Sequence, residues 1–202
     1  MEQRALLEIV FSFDDVKATQ AAAYLLKLHG DADAMSYLGL LKLLYIGDRR
    51  SLEKRGYPIT GDSFVAMKYG PVLSHIYDYV KPNGGYASSD YWNRYIETIS
   101  TTRSPHKKVY VTLIDDPGDD ELSMAEETIL QGVYQEFGHR DPFAVAEWTH
   151  DLPEWQDPAN FGKKVMPIDA QELLSYLHKS DQDIILIREI AERERFLNQV
   201  NG

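Results

Sequence analysis

Three groups of residues carry side chains suited to chemistry. The first is Gly61-Asp62-Ser63, inside PITGDSFVAMKYGPV, residues 58–72. Gly-Asp-Ser marks the nucleophile of one class of serine hydrolase. A serine nucleophile needs a base within hydrogen-bond reach and a group that orients that base. In that class the partner is an Asp-x-x-His near the C-terminus. None of the histidines here has an aspartate three residues before it, and no G-x-S-x-G occurs. The other reading is a turn in which Asp62 bonds local backbone N–H groups.

The second group is the histidines, His29, His75, His106, His139, His150 and His178. No two lie three or four apart, and H-E-x-x-H is absent, so no metal site is expected. Without a P-loop or a dinucleotide fingerprint, no cofactor is expected either. The third group is Asp48, Lys68 and His150. Asp48 interrupts an apolar helical stripe, and a buried acid is costly unless paired or hydrogen-bonded. It can pair internally with Lys68 or accept bonds from the turn at Gly61. Both residues can instead line a partner-facing groove, or serve an enzyme together with His150. His150 lies in WTHDLPEW, where a histidine near a helix C-terminus can bond the last carbonyls. Trp148 and Trp155 flank that turn, and exposed tryptophans there would anchor a partner.

These residues must be positioned by helices. Asp14-Asp15 can cap a helix closed by Gly30, with Ala18, Ala21, Ala22, Leu25 and Leu28 on one stripe. Ser36 can cap a second helix, with Tyr37, Leu40, Leu41, Leu44, Tyr45, Asp48 and Leu52 on one face and Gly56 at its end. Thr60-Gly61-Asp62 reads as a turn and SFVAMKY as a strand. Gly70-Pro71 then breaks the strand, and Pro71 is placed to start the helix VLSHIYDYV, which Lys81 to Gly85 end. YWNRYIETIS reads as a strand or a short helix, and KKVYVTLI as a strand. Ser123 and Glu126 form a capping box, and Asp141-Pro142 and Asp169 start further helices. The final helix, DQDIILIREIAERERFLNQV, is apolar on every side around Ile184 and Ile187, so that segment is buried or docked on another chain.

Bulk composition narrows the class. The chain has 202 residues, no cysteine and a formal net charge of -11. That length suits one domain with a proper core. Disulfides and zinc-thiolate sites are excluded, and the chain is expected in the cytoplasm. The acidic balance disfavours general nucleic-acid binding, and DDPGDDE, residues 115–121, reads as a solvated loop or as a patch for a basic partner. The N-terminus does not read as a signal peptide, and no segment approaches a membrane span.

KLLYIGDRRSLEKRGYPITGDSFVAMKYGPVLSHIYDYVK, residues 42–81, closely resembles the signature of the Panacea domain family, the SocA-like antitoxins. The matching elements are Lys42 to Tyr45, Asp48, Arg49-Arg50, Pro58 to Asp62, Ala66-Met67, Gly70 to Val72 and Tyr77-Asp78. The helix LSMAEETILQGVYQEFG, and Thr149-His150 with Pro153 and Trp155, are similar to its second half. Tyr69 and Gly47 depart from the usual histidine and alanine. The resemblance spans roughly residues 14–178 and implies an antitoxin that neutralises a protein toxin, usually encoded next door, by direct binding. Some relatives deliver the toxin to a protease, which makes an adaptor role the alternative; the family is not one of established enzymes.

The expectation is therefore a mainly α protein: a single compact helical domain with a few short strands in a hairpin-like insert. Residues 1–13 form an N-terminal segment, 14–178 the domain, and 179–202 a C-terminal helix packing on the domain or a partner. Expected partner-binding residues are Asp48, Lys68, Tyr69, Trp155, Ile184 and Ile187. Expected structural residues are Gly61, Asp62, Gly70, Pro71 and His150. The partners implied are a cognate toxin and, for the adaptor, a protease; an oligomer remains open.

Overall fold

The computed structural model of the chain describes residues 8–30, 34–81, 89–101 and 108–201. Helix α1 (Asp15–His29) starts where the Asp14 carboxylate accepts the Lys17 N–H, and ends where the Gly30 N–H reaches the Leu26 and Lys27 carbonyls. A two-residue strand β1 (Met35–Ser36) leads into α2 (Tyr37–Arg55). Every residue of α2 from Leu40 to Asp48 is buried. The sequence stripe suggests one core-facing side, but α1, a later helix pair and a β-hairpin enclose the helix all round.

The stretch after α2 corrects one expectation. Pro71 does not start a helix. Gly70–Leu73 is strand β3, paired antiparallel with β2 (Phe64–Met67) through a turn at Lys68-Tyr69. Helix α3 begins at Ser74 and runs to Val80. The sheet order is β3-β2-β6, with β6 at Val165–Pro167, so Pro71 lies on an edge strand. There a proline can be carried without breaking a ladder on its outer side. Gly70 takes φ +87°, a left-handed value that lets the chain turn into β3.

YWNRYIETIS divides into both of its readings: helix α4 (Asp90–Tyr95), then strand β4 (Ile96–Thr101). Strand β5 (Lys108–Leu113) pairs with β4 and β1 in a second antiparallel sheet, of order β1-β5-β4. The end assigned to α3 from sequence, Pro82 to Gly85, lies outside the described residues, as does His106. The acidic loop is held from below by Gln20. Its amide donates to the Pro117 carbonyl and the Asp120 carboxylate, and its own oxygen accepts the Glu121 N–H.

Helix α5 (Met124–Phe137) opens with the capping box of Ser123 and Glu126. Glu126 also pairs with Lys17 at 2.9 Å and Arg55 at 2.7 Å, stapling α1 and α2 to α5. Burial alone would push this carboxyl up; Arg55, the Ser123 N–H and Lys17 outweigh it and bring it down to about 2. Helix α6 (Pro142–Trp148) follows the Asp141 cap and runs into a short 3-10 turn, Thr149–Asp151. After a second such turn, Pro158–Phe161, come β6, α7 (Ala170–Tyr176) capped by Asp169, and α8 (Asp181–Asn201). The architecture is mainly α with two small antiparallel sheets.

The start of α8 takes the buried one of its two expected readings, which corrects the expectation that Ile184 and Ile187 bind a partner. Ile184 and Ile187 are 6% and 7% exposed and join the core, which removes them from any partner surface. Their spacing points both at the domain, whereas Ile185 and Leu186 turn outward. The Tyr57 hydroxyl bonds Glu194, and the Asn198 amide donates to Ser12 at 2.7 Å, so α8 is tied down beyond its first turns.

Candidate partner-binding site

The site is built on the segment between α2 and α3. Asp48 is buried and accepts hydrogen bonds from the Ile59 N–H (2.9 Å), the Thr60 N–H (3.1 Å) and the Thr60 hydroxyl (2.5 Å). It pins the incoming turn rather than meeting a partner, and Lys68 is not its counter-ion. Burial drives the Asp48 carboxyl up to about 7 despite the Thr60 and Ile59 donors, with the nearby Asp62 adding to the rise. Gly61 follows with φ +69°, and a Cβ there would stand 2.0 Å from the Ser12 carbonyl oxygen.

Asp62 does what an N-cap normally does, from outside the helix. Its carboxylate accepts the His75 N–H (3.1 Å) and the Ile76 N–H (3.0 Å), two first-turn donors of α3. The same group accepts the Ser63 N–H and His75 Nδ1–H, the latter at 2.7 Å. The hydrogen bond to Asp62 raises the His75 pKa against the lowering effect of burial. Ser63 is exposed, and its hydroxyl makes no hydrogen bond among the described residues. Asp62 and His75 pair, but the pair serves helix capping; among the described residues no hydrogen bond joins the Ser63 hydroxyl to the imidazole.

The β2–β3 hairpin is gripped at its base. Lys42 of α2 is wholly buried, and its Nζ donates to the Pro71 carbonyl at 2.8 Å. The Trp155 indole N–H donates to the Met67 carbonyl at 3.0 Å. Gly70 sits so close to the next layer that a Cβ would lie 2.2 Å from Thr149 Oγ1 and 2.8 Å from Lys42 Nζ. The tip is left outside. Tyr69 is 50% exposed and meets the exposed Phe143 ring edge-on at 6.2 Å, while Lys68 Nζ stands 5.4 Å from the Tyr69 ring centre.

A second buried network braces Trp155. Glu154 accepts from the Tyr45 hydroxyl (2.7 Å) and from Arg49 Nε (2.6 Å) and Nη2 (3.3 Å). Burial and the Glu154 charge push the Tyr45 hydroxyl well above its usual range. His150 stacks flat on Trp155, with ring centres 3.9 Å apart, and its Nδ1 lies 3.5 Å from Glu147. No carbonyl bond from His150 occurs among the described residues, so its expected helix-capping role is replaced by stacking. Trp155, half-buried and bonded to the hairpin, is a strut rather than an exposed anchor.

The expected residues therefore separate. Lys68 and Tyr69 are displayed together; Gly61, Asp62, Gly70, Pro71, His150 and Trp155 hold the frame; Asp48 is internal. Asp48, Lys68 and His150 are not joined by any contact among the described residues. Sequence reasoning placed Lys42, Tyr45, Arg49 and Thr149 in the family resemblance but assigned them no structural role, and it missed Glu154. The signal available was the run LGLLKLLYIG, in which one lysine is set inside a helix apolar on both sides. No metal-binding cluster of His, Asp and Glu occurs among the described residues, and no described helix is long and apolar enough to cross a membrane.

The model of one protein family, described as antitoxin SocA-like, Panacea domain, matches residues 40–156 of the chain. The match begins in α2, takes in the whole hairpin and ends just past Trp155, so it encloses the frame described above. No curated protein and no solved structure matches the chain.

Proposed function

Because the chain belongs to the SocA-like antitoxin family with a Panacea domain, we propose that it neutralises a protein toxin by binding it directly. The observation that carries this reading is the hairpin tip. Lys68 and Tyr69 are exposed, while the backbone just behind them is held by Lys42 and Trp155. An aromatic side chain on a pre-set loop loses little freedom when it docks, and aromatic residues dominate the energetics of interfaces. Tyr69 beside Phe143 offers such an anchor, and Lys68 adds a charge that fixes orientation.

The chain's charge of -11 supports the same reading, since it would speed encounter with a basic toxin. The experiment is co-expression with the product of the adjacent gene, read as growth, followed by affinity measurement on the purified pair. Neutralisation should persist with the native chain and weaken at least about tenfold in affinity for Tyr69→Ala, the loss of one hot spot. Growth arrest that the chain relieves for no neighbouring gene product overturns the reading. Relief that occurs only when a cellular protease is present replaces direct inhibition with the adaptor role.

A further inference from the structure

A groove of about 510 Å³ opens beside the hairpin. Its deeper lining is apolar: Leu38 and Leu41 of α2, with Met67 and Val72 of the two hairpin strands. Tyr37, Tyr69 and Tyr77 also line it. Its basic lining is Lys68 from the tip and Lys163 and Lys164 from the segment leading into β6. All three lysines are exposed, and none is in an ion pair among the described residues. The acid that lines the groove, Asp157, spends an oxygen capping the Ala159 N–H at 2.9 Å.

Three unpaired lysines around one apolar groove stand out on a chain with 32 acids against 21 bases. We propose that this groove takes an acidic segment of the toxin, with one apolar or aromatic side chain seated between the tyrosines. The assignment rests on the antitoxin reading above and gives that same face its partner chemistry. The complementary charge favours an acidic segment. The apolar depth asks for a side chain that a bare polyanion lacks, and the net negative charge of the chain opposes nucleic acid. The whole toxin can still be basic: its overall charge governs approach, and the local acidic segment governs seating.

The test uses the full chain and short synthetic peptides in calorimetric titration. One peptide alternates glutamate with a central Leu-Phe pair, one replaces the glutamates by lysine, and one keeps the glutamates but replaces Leu-Phe by serine. The acidic peptide with the apolar pair should bind best. The variant Lys68→Gln/Lys163→Gln/Lys164→Gln should weaken it about tenfold or more, three rim charges being lost. Lys54→Gln/Lys108→Gln/Lys179→Gln makes the same change in net charge away from the groove and should leave affinity within about twofold.

Equal or better binding of the lysine peptide, or equal weakening by both triple variants, overturns the proposal. So does a thymidine oligonucleotide that displaces the acidic peptide, which would make the groove a nucleic-acid channel. A chain that neutralises its toxin but binds no acidic peptide overturns this inference and leaves direct neutralisation standing. A chain that binds the acidic peptide as described but relieves no toxin leaves the groove assignment standing and sinks the antitoxin reading.

Discussion

Replacing Lys42 by methionine should change how stability depends on pH. Burial lowers the Lys42 pKa from 10.5 to about 7. A folded-state pKa below the unfolded one means that the unfolded chain holds the proton more tightly. Stability from this group is thus fully present above about pH 10.5 and is lost as pH falls to about 7. At about 1.4 kcal/mol for each pH unit, the interval amounts to roughly 5 kcal/mol as an upper figure. Methionine matches the unbranched shape and carries no charge. It forfeits the hydrogen bond to the Pro71 carbonyl, about 1 kcal/mol. At about pH 6 the variant should therefore be more stable than the native chain by roughly 3–4 kcal/mol. Near about pH 10.5 the advantage should vanish or reverse by about 1 kcal/mol. Urea unfolding at both pH values, with unchanged m-values, measures the difference. A gap that stays constant with pH to within about 1 kcal/mol refutes the idea that Lys42 folds against its charge.

Three further outcomes follow from the same frame. Asp48→Ala strands the Ile59 and Thr60 N–H groups and should cost about 2–6 kcal/mol in urea unfolding, at about 1–3 for each buried donor, whereas Asp48→Asn keeps an acceptor and should cost less. Gly70→Ala adds left-handed strain of about 1–2 kcal/mol to a clash with Thr149, so its thermal midpoint should fall by more than strain alone explains. Asp62→Asn removes the carboxylate that raises His75, so the imidazole midpoint followed by NMR should move down toward 6.5. In the native chain that pairing stabilises below 6.5 and is lost as pH rises through the higher folded pKa, and the variant should lack this dependence.

Local signals were legible where one residue decides an outcome. Asp14, Ser123 with Glu126, Asp141 and Asp169 all cap the helices that their spacing predicts, because a cap needs only its own next turn. The bonds from Asp62 to nearby N–H groups were foreseeable for the same reason, although their reach to α3 was not. Pro71 was misread because edge position depends on which strands pair, and that is set by β6, far along the chain. The buried roles of Lys42 and Glu154 are not legible in the sequence because periodicity shows which side of a helix is apolar, not whether a second layer covers the other side. For Ile184 and Ile187 the sequence leaves burial and docking both open, because an apolar run does not say which neighbour buries it; here the neighbour is the domain itself.

The grips on the hairpin have one property in common. Lys42 and Trp155 both hold main-chain oxygens, those of Pro71 and Met67, and neither hydrogen-bonds a side chain of the tip. Main-chain oxygens are the same whatever residue carries them. The two outward positions can therefore change identity without loosening what holds them in place. Such a mounting keeps its shape while the side chains it shows to the outside are exchanged.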